Sequence, residues 1–347
     1  MRTFLSYSLC LIMLLGGCRK DQPPEPPVEN KVDYGLKGEL LVLNEGNFML
    51  ANSSISKIDL STGAVVDQYY EHINQQSLGD VAQSINFYQG KAYLVINNSQ
   101  KILVTDSASL IHEKTISGFV SPRYMAFIHP QKAYVSDLYA NAVHIINPLT
   151  GVVTGQIPLH GWTEEMCVTG LKVFVGNWSG SATYILNAVN DEIIDSVYTG
   201  KHSAWLCSDD ENQVWVLSSG QEQEAPMLSC IDAETHQLKR QEVLPFAKDL
   251  CSKLVYDPVG KQLFFLAGDV FAYRIRAKEG ERLSRIIRKE QKNFYGLGIH
   301  PDKRIIMVSD ARNFVQKGAV HLYSIDGGYI SLGNYECGMI PGEMVLR

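Results

Sequence analysis

The chain has 347 residues, of which 45% are hydrophobic and 20% are charged, and its formal net charge at pH 7 is −6. A mildly acidic chain without a basic block lacks the electrostatic footprint of a nucleic-acid-binding protein. The length allows one large domain or two ordinary ones, and beyond the first residues there is no apolar run of roughly 18 residues that would span a bilayer.

The first 17 residues are organised like an export signal. Arg2 supplies a small positive charge, and the apolar run over residues 4–15 suits a signal-peptide core but is too short for a mature membrane helix. The sequence LGGC over residues 15–18 resembles the bacterial lipobox, in which cleavage precedes the cysteine that receives the lipid. We therefore predict a lipoprotein signal peptide over residues 1–17 and lipidation of Cys18. The alternative is an ordinary secretory signal followed by a chance cysteine.

Residues 18–37 are predicted to form a lipidated, proline-rich tether. The segment QPPEPPVE over residues 22–29 favours an extended, semi-rigid chain, because proline fixes φ and removes a backbone donor. At about 3 Å per residue, the tether would hold the next domain up to roughly 50 Å from the lipid. Lys20-Asp21 resembles the charged surface-export signals of Bacteroidetes lipoproteins. We expect a lipid-anchored outer-membrane protein exposed at the cell surface, which contacts the membrane through its lipid alone.

Five cysteines remain besides the lipidated one. Their odd number and irregular spacing do not form a disulfide framework, although one disulfide stays possible in an oxidising compartment. Without a C-x-x-C motif or a Cys/His cluster we expect no metal site, and nothing in the sequence indicates a cofactor. Most of these cysteines fall in apolar strand patterns and are predicted to be buried. They are Cys167, Cys207, Cys230, Cys251 and Cys337.

From residue 38 onwards short β-branched and aromatic runs recur between Gly, Asn, Asp and Pro, and helical periodicity is nearly absent. One type of strand ends in a small, usually polar residue, and successive copies end 53, 40, 40, 41, 49 and 43 residues apart. A period of about 40 residues is typical of a four-stranded propeller blade. The end residues are Asn44, Asn97, Asp137, Asn177, Ser218, Ala267 and Asp310.

A short apolar strand precedes each of these strands except the first. The missing copy is present at the C-terminus as GEMVL over residues 342–346. We therefore predict an all-β, seven-bladed β-propeller over residues 38–347, closed by a C-terminal strand that completes the first blade and covers two strand edges. An eight-bladed ring and a β-sandwich are the alternatives, and the sandwich fits the repeat period poorly.

This blade pattern resembles the YncE-like family of seven-bladed propellers over nearly the whole chain after the tether, and most closely a BtuG-like group of Bacteroidetes surface lipoproteins. The stretches that carry the resemblance are LNEGNF from residue 43, SLGDVAQSI from residue 77, AYLVINNS from residue 92, SPRYMAF from residue 121, KAYVSDLY from residue 132 and VGNWS from residue 175. Some members of that group capture cobalamin and sit on a TonB-dependent transporter. The resemblance therefore implies a corrinoid ligand but assigns none of its contacts.

In a propeller, the loops after the second strands and before the first strands share one face, around a central depression. We predict a ligand-binding rim there that is neutral, rich in amides and partly aromatic, suited to a corrinoid or a glycan. The alternative for each Asn or Asp is a turn cap bonded to its own backbone. The candidate ligand-binding residues are Asn44, Glu45, Asn97, Arg123, Tyr124, Asp137, Tyr139, Asn177, Trp178, Trp205 and Asp310.

Catalysis has weaker support, and no catalytic residue is assigned. Glu164 and Glu165 are adjacent, so in a regular strand they would face opposite ways and form no carboxylate pair. His202 precedes a first strand, where a single histidine is more often structural. The favoured function is capture of a nutrient for transfer to a TonB-dependent transporter. The alternatives are an extracellular lactonase-like or lyase-like enzyme and a protein-interaction platform.

Overall fold

In the computed structural model of the chain, residues 36–347 are described. The predicted signal peptide, Cys18 and all but the last two residues of the predicted tether lie outside the described residues, so those predictions stay untested. Within residues 36–347, no helix is both long enough and apolar enough to cross a membrane.

The first half of the described chain contains fifteen strands and one short helix. They are β1 (Glu39–Asn44), β2 (Ser54–Asp59), β3 (Val65–Val66), α1 (Tyr69–Asn74), β4 (Ala82–Tyr88), β5 (Lys91–Ile96), β6 (Lys101–Asp106), β7 (His112–Ser117), β8 (Pro122–His129), β9 (Lys132–Asp137), β10 (Ala142–Asn147), β11 (Val152–Pro158), β12 (Thr163–Thr169), β13 (Lys172–Asn177), β14 (Ala182–Asn187) and β15 (Glu192–Tyr198).

The second half continues with strands alone. They are β16 (Ser203–Ser208), β17 (Gln213–Ser218), β18 (Met227–Asp232), β19 (Leu238–Val243), β20 (Cys251–Asp257), β21 (Gln262–Ala267), β22 (Asp269–Arg274), β23 (Leu283–Ile287), β24 (Phe294–His300), β25 (Ile305–Asp310), β26 (Lys317–Ser324), β27 (Ile330–Met339) and β28 (Pro341–Leu346).

The strands form small antiparallel sheets in the arrangement of a β-propeller. Five sheets stand alone with four strands each: β28-β1-β2-β3, β4 to β7, β8 to β11, β20 to β23 and β24 to β27. The prediction of seven separate blades is corrected at one place, because β12 to β19 pair as a single eight-stranded sheet. One residue pair joins its two halves, Asn177 at the end of β13 with Ser203 at the start of β16.

The predicted closing strand is confirmed by the pairing of β28 with β1. Their antiparallel register places Leu346 opposite Leu40 and Met344 opposite Val42. All four side chains are buried in one apolar cluster with residues of β25 and β26. The C-terminal strand thus joins the first sheet to the last, and it protects an edge of each from solvent.

The inner strand of each sheet lies nearest the axis of the molecule. The strands β4, β8, β12, β16, β20, β24 and β28 contact one another in this order, and β28 also contacts β4. The second strands are buried along their length, as in QLFFLA of β21, while outer strands such as β15 are mostly exposed. Apolar side chains of neighbouring sheets pack between them, as Trp215 does with Phe265. This layering follows from sheets buried on both faces near the axis.

The helix α1 was not predicted, because six residues are too few to show a 3.6-residue period. It lies in the connection between the first two sheets. Tyr70 is fully buried, in one cluster with Leu78 and Leu110. Asn74 Nδ2 donates to the carbonyl oxygens of Tyr70 and Leu110, each at 3.0 Å, which holds the helix against the second sheet.

The five described cysteines are all free thiols. Cys167, Cys230, Cys251 and Cys337 are buried, as expected for strand residues that act as small apolar side chains. Burial raises the pKa of Cys230 and of Cys251 to about 12, so at neutral pH both remain protonated and unreactive.

Candidate functional site

A register shift interrupts every inner strand close to its first residue. At these β-bulges, two residues of the inner strand oppose one residue of the second strand, which breaks the alternation of side chains. We call the following side chains the bulge residues: Gln83, Arg123, Tyr124, Glu164, Glu165, Ala204, Trp205, Ser252, Lys253, Tyr295, Gly296, Gly342 and Glu343.

The bulge in β12 changes the geometric reason for one expectation, that Glu164 and Glu165 form no carboxylate pair, but the two side chains still bond to different neighbouring strands. Glu164 and Glu165 fall in the shift between Thr163 and Met166, so the regular alternation assumed for them does not apply. The Glu164 carboxylate accepts from Arg123 Nε at 3.0 Å, and the Glu165 carboxylate accepts from the backbone N–H of Leu206 at 2.9 Å. Burial raises the pKa of Glu165, and the nearby Glu164 charge adds a smaller rise.

Most bulge residues line a cavity of about 360 Å³ at the centre of the molecule. We call it the axial cavity. Its wall carries three tryptophans, two tyrosines and a phenylalanine beside four charged side chains. The lining residues are Glu45, Val81, Gln83, Arg123, Tyr124, Leu138, Trp162, Glu164, Trp178, Ala204, Trp205, Ser252, Lys253, Phe294 and Tyr295.

The aromatic wall is held in place by ring contacts. Trp178 meets Trp205 edge to face, with ring centroids 5.6 Å apart. Trp178 also stacks on the ring of His202, with ring centroids 4.5 Å apart. The Nδ1 atom of His202 in turn lies 3.0 Å from Asp249 Oδ1. His202 is buried behind Trp178 and is not among the residues that line the cavity. Packed on both sides, Trp178 presents a preformed surface to a ligand.

Arg123 organises the polar side of the cavity. Its Nε donates to Glu164, and its Nη1 donates to Gln83 Oε1. Gln83 Nε2 in turn donates to Tyr124 Oη at 3.2 Å. Burial alone would lower the pKa of Arg123, but the hydrogen bond to Glu164 and the charges of Glu164, Tyr124 and Glu45 together outweigh it, and the pKa is raised. The guanidinium is therefore a paired, permanently charged part of the wall.

Three further carboxylates surround the axis, and burial raises the pKa of each. Glu45 accepts from the Tyr295 hydroxyl at 2.8 Å. Glu343 accepts from the backbone N–H of Ile85 at 2.9 Å, an arrangement that matches that of Glu165 with Leu206. Burial raises the pKa of Glu165 and of Glu343 to about 7, so both are partly protonated at neutral pH.

Lys253 is the bulge residue with a free charge. Its ammonium lines the cavity and acts electrostatically on Glu45, Glu165 and Glu343. Within residues 36–347 it forms no ion pair and no hydrogen bond, whereas Arg123 is paired on two sides. Its φ of 55° lies in the left-handed region, which costs a residue with a side chain free energy.

The structure brings five of the predicted ligand-binding residues together at this cavity: Glu45, Arg123, Tyr124, Trp178 and Trp205. Tyr139 lies outside it, 56% exposed, and meets Trp162 edge to face at 5.5 Å. The expectation of an aromatic surface fits this geometry. Four charged side chains also line the cavity, two acidic and two basic, so the predicted neutral rim contains charged groups of both signs.

The other five predicted residues end second strands and are buried away from the cavity: Asn44, Asn97, Asp137, Asn177 and Asp310. We call them the strand-end residues. Asn97 Nδ2 donates to Ser121 Oγ at 2.8 Å and to the Pro122 carbonyl at 3.0 Å. Asn44 Nδ2 donates to Ser54 Oγ and Ser56 Oγ at 3.1 and 3.0 Å. These partners belong to the fold, as the turn-cap alternative anticipated.

The acidic strand ends bond to backbone N–H groups. Asp137 accepts from the N–H groups of Val120 and Ser121 at 2.8 and 2.9 Å, and His144 Nε2 lies 3.2 Å from its carboxylate. Asp310 accepts from the N–H groups of Asn293 and Arg312 at 2.8 and 2.9 Å. Both carboxylates thus link the end of one strand to the loop before its inner neighbour.

Sequence reasoning did not select Lys253, Glu164 or Glu343 as site residues. A strand alternates its side chains, and the bulge that redirects these three is a property of strand pairing, which one sequence does not display. A signal was nonetheless present. Each lies one or two residues before a large apolar residue of an inner strand, the position that Tyr124 and Trp205 occupy in theirs.

Comparison with known proteins supports the fold and leaves the chemistry open. A profile for the family described as "Domain of unknown function (DUF5074)" matches residues 37–336. No curated protein matches the sequence. A quinonprotein alcohol dehydrogenase-like protein from Bacteroides thetaiotaomicron superposes with a TM-score of 0.72 at 12% identity, over 89% of this chain and 78% of its own.

Two further structures are similar. Hydrazine synthase from Kuenenia stuttgartiensis has a TM-score of 0.59 at 13% identity, over 68% of this chain and 74% of its own. The computationally designed Ika8 protein has a TM-score of 0.57 at 14% identity, over 86% and 88% of the two chains. At such low identities these similarities show the fold alone.

Proposed function

We propose that this chain, which belongs to the DUF5074 family, is a ligand-capture protein whose binding site is the axial cavity. The observation that carries the proposal is the convergence of Trp162, Trp178 and Trp205 on one concave surface. A volume of about 360 Å³ lies within the range of small-molecule sites, which are mostly apolar with a few placed polar groups. Tryptophan supplies a large, flat contact area that loses little side-chain entropy on binding.

Capture explains the cavity better than catalysis does. General acid–base chemistry needs a titratable group within hydrogen-bond reach of the reacting atom. Glu165 and Glu343 titrate near neutrality, but their carboxylates bond to backbone N–H groups of the next sheet and do not line the cavity. Glu164 does line it and is paired with Arg123. No histidine is among the lining residues of the described chain.

We propose two candidate ligand classes, of which a corrinoid is the first. The resemblance to the BtuG-like group supports it, and the aromatic wall suits its flat apolar faces. A corrinoid is too large to enter a cavity of about 360 Å³, so it would lie across the mouth, over Trp162 and Trp178. A glycan is the second choice, because sugar rings stack on tryptophan and a single ring fits inside.

The ring itself is proposed to have seven blades. The eight-stranded sheet divides into β12 to β15 and β16 to β19, each a four-stranded meander like the other five sheets. A single residue pair joins the halves, while neighbouring strands within a meander share four or more. This count supports the resemblance to YncE-like propellers.

Titration calorimetry on the full-length protein in detergent tests the proposed function. Cyanocobalamin and a mixture of neutral and acidic oligosaccharides are the ligands. We expect saturable binding of at least one, which Trp205→Ala weakens by roughly five- to a hundred-fold. Leu171→Ala, an exposed apolar side chain outside the cavity, is the control. Turnover of a bound ligand would favour the enzyme alternative, and binding unaffected by Trp205→Ala would place the site elsewhere.

The location at the outer membrane, with transfer to a TonB-dependent transporter, is proposed from the sequence of residues 1–37 and the family resemblance. Cys18→Ala tests the anchor. Metabolic labelling with a radioactive fatty acid should mark the wild-type protein and leave the variant unlabelled and detached from membranes. Label that persists in the variant would contradict lipidation at Cys18.

A further inference from the structure

Lys253 stands apart from every other charged group at the axial cavity. Glu45 is bonded to the Tyr295 hydroxyl, and Arg123 and Glu164 are bonded to each other. The Lys253 ammonium has three donors and, within residues 36–347, no acceptor for any of them. The ammonium is only partly buried and has no acceptor within the described residues, so its donors are available to a bound acceptor.

The acids around Lys253 do not fill the role of partner. Glu165 and Glu343 direct their carboxylates to the N–H groups of Leu206 and Ile85. Each acts on Lys253 only through space. Because desolvation favours the protonated form of these carboxyls, they neutralise the ammonium only in part. Among the described residues, the Lys253 ammonium is thus the one positive charge of the cavity that is available to a ligand.

We infer that Lys253 anchors a carboxylate group of the ligand, whose ring stacks on Trp178 and Trp205. The inference rests on the proposed function and favours its second ligand class, as a glycan that bears a carboxylate, because cyanocobalamin carries amides in place of free carboxylates. The tryptophans recognise a flat or cyclic body, and the single free ammonium matches one negative charge. A carboxylate fits better than a phosphate dianion, because Arg123 is already paired with Glu164 and offers no second free cation.

The surroundings of Lys253 make this recognition depend on pH. The groups that face it are Glu45 after β1, Arg123 and Tyr124 of β8, Glu164 and Glu165 of β12, Tyr295 of β24 and Glu343 of β28. As pH rises through about 7, Glu165 and Glu343 lose protons and add negative charge beside the incoming carboxylate. Affinity for a carboxylate should therefore fall between pH 6 and pH 8, and affinity for a neutral ligand should not.

The test uses two probes that differ only in charge, phenylacetate and phenylacetamide. Binding to the full-length protein in detergent is followed by tryptophan fluorescence at pH 6. We expect the acid to bind about ten-fold or more tightly than the amide, as a hydrogen bond to a charged group predicts. Lys253→Gln should abolish this preference, so that acid and amide bind with similar affinity. Lys248→Gln, an exposed lysine outside the cavity, is the matched control and should retain the preference.

The outcomes separate the proposed role of Lys253 from the proposed capture of a ligand by the axial cavity. Equal binding of acid and amide, or a preference that survives Lys253→Gln, would overturn the role of Lys253 and leave capture by the cavity intact. Binding of neither probe at tens of millimolar would overturn the role of Lys253, while calorimetry with cyanocobalamin and oligosaccharides decides the proposed function separately. Circular dichroism of Lys253→Gln shows whether the variant is folded, and its residual binding of the amide shows whether the cavity still accepts a ligand. Phenyl phosphate preferred over phenylacetate would replace the carboxylate by a phosphate.

Discussion

The strand-end residues and the bulge residues lie at neighbouring positions of the same sheets, yet their side chains have different roles. The strand ends are polar in most sheets, and the structure buries them and uses their bonds within the fold. The bulge residues differ from sheet to sheet, as Tyr124, Glu165, Trp205 and Lys253 show, and they surround the axial cavity. In a repeat protein, a position that repeats supports the fold, and a position that varies is free to serve the site.

The largest effect on stability should come from a strand-end acid. Asp137→Ala removes the acceptor for the N–H groups of Val120 and Ser121 and leaves them buried without a partner. We expect the free energy of unfolding to fall by about 3–5 kcal/mol. Asp137→Asn keeps one acceptor and should lose less. Urea unfolding at pH 7 measures both variants. If Asp137→Ala lowers the free energy of unfolding by less than about 1 kcal/mol, the strand-end residues do not support the fold in the way that distinguishes them from the bulge residues.

The Asp137 carboxylate should also make the stability of the wild-type protein depend on pH in the acid range. Burial alone would raise the pKa of Asp137, but bonds from His144 and from the backbone outweigh it and lower the pKa. The unfolded state therefore binds the proton more readily than the folded state. The stabilisation is present at neutral pH and is lost as pH falls below about 4. The Asp137→Asn variant should lose less stability than the wild type over that acid range.

For an aromatic residue of the cavity, we expect a large effect on ligand affinity and a small effect on stability. Trp178→Ala removes the surface held between Trp205 and His202, so ligand affinity should fall by about 1–3 kcal/mol. The variant should still fold, since Trp178 is only partly buried. Calorimetry and thermal unfolding separate the two effects. A variant that unfolds early yet binds normally would assign Trp178 to the fold instead.

The bulge residue Glu165 should make the protein less stable as pH rises. Burial raises the pKa of Glu165 to about 7, so the folded state holds its proton over a range where the unfolded state has released it. Stability should fall as pH rises from about 4.5 through 7. Glu165→Gln removes this loss, and at pH 8 it should be more stable than the wild type by about 1–2 kcal/mol. At pH 4 the two proteins should unfold alike; equal stability at pH 8 would contradict the assignment.

The smallest effect is expected at the rim. Tyr139 is 56% exposed and contacts Trp162 only at its edge. Tyr139→Ala should change the free energy of unfolding by less than about 0.5 kcal/mol and ligand affinity by a few-fold at most. Thermal unfolding and calorimetry provide the measurement. A loss as large as that of Trp178→Ala would move the binding surface from the cavity to its rim.

The repeat made most of the fold predictable from sequence. The predicted ends at Asn44, Asp137, Asn177 and Asp310 coincide with observed strand ends, and the predicted strand over residues 342–346 is β28. Local signals carried these predictions, because apolar runs and turn residues act within a few positions. The pair Asn177–Ser203, which merges two four-stranded units, depends on contacts between sheets and leaves no local signal.

The site was predictable only in part, for a related reason. Trp178 and Trp205 were selected because they lie at a second-strand end and at a first-strand entry, where a flat aromatic side chain would face the depression, and they do line the cavity. Asn97 and Asn177 were selected by the same positional rule, but their amides bond within the fold. A sequence shows which residues can form hydrogen bonds, and only the structure shows which of them have already done so.

The central claim is that the axial cavity, and not the set of strand-end residues, forms the ligand site. A crystal structure of the protein with phenylacetate tests it most directly. We predict the carboxylate within hydrogen-bond distance of Lys253 Nζ and the ring against Trp178 or Trp205. Phenylacetate bound at Asn97, Asp137 or Asn177, or on the outer surface with the axial cavity empty, would contradict the account.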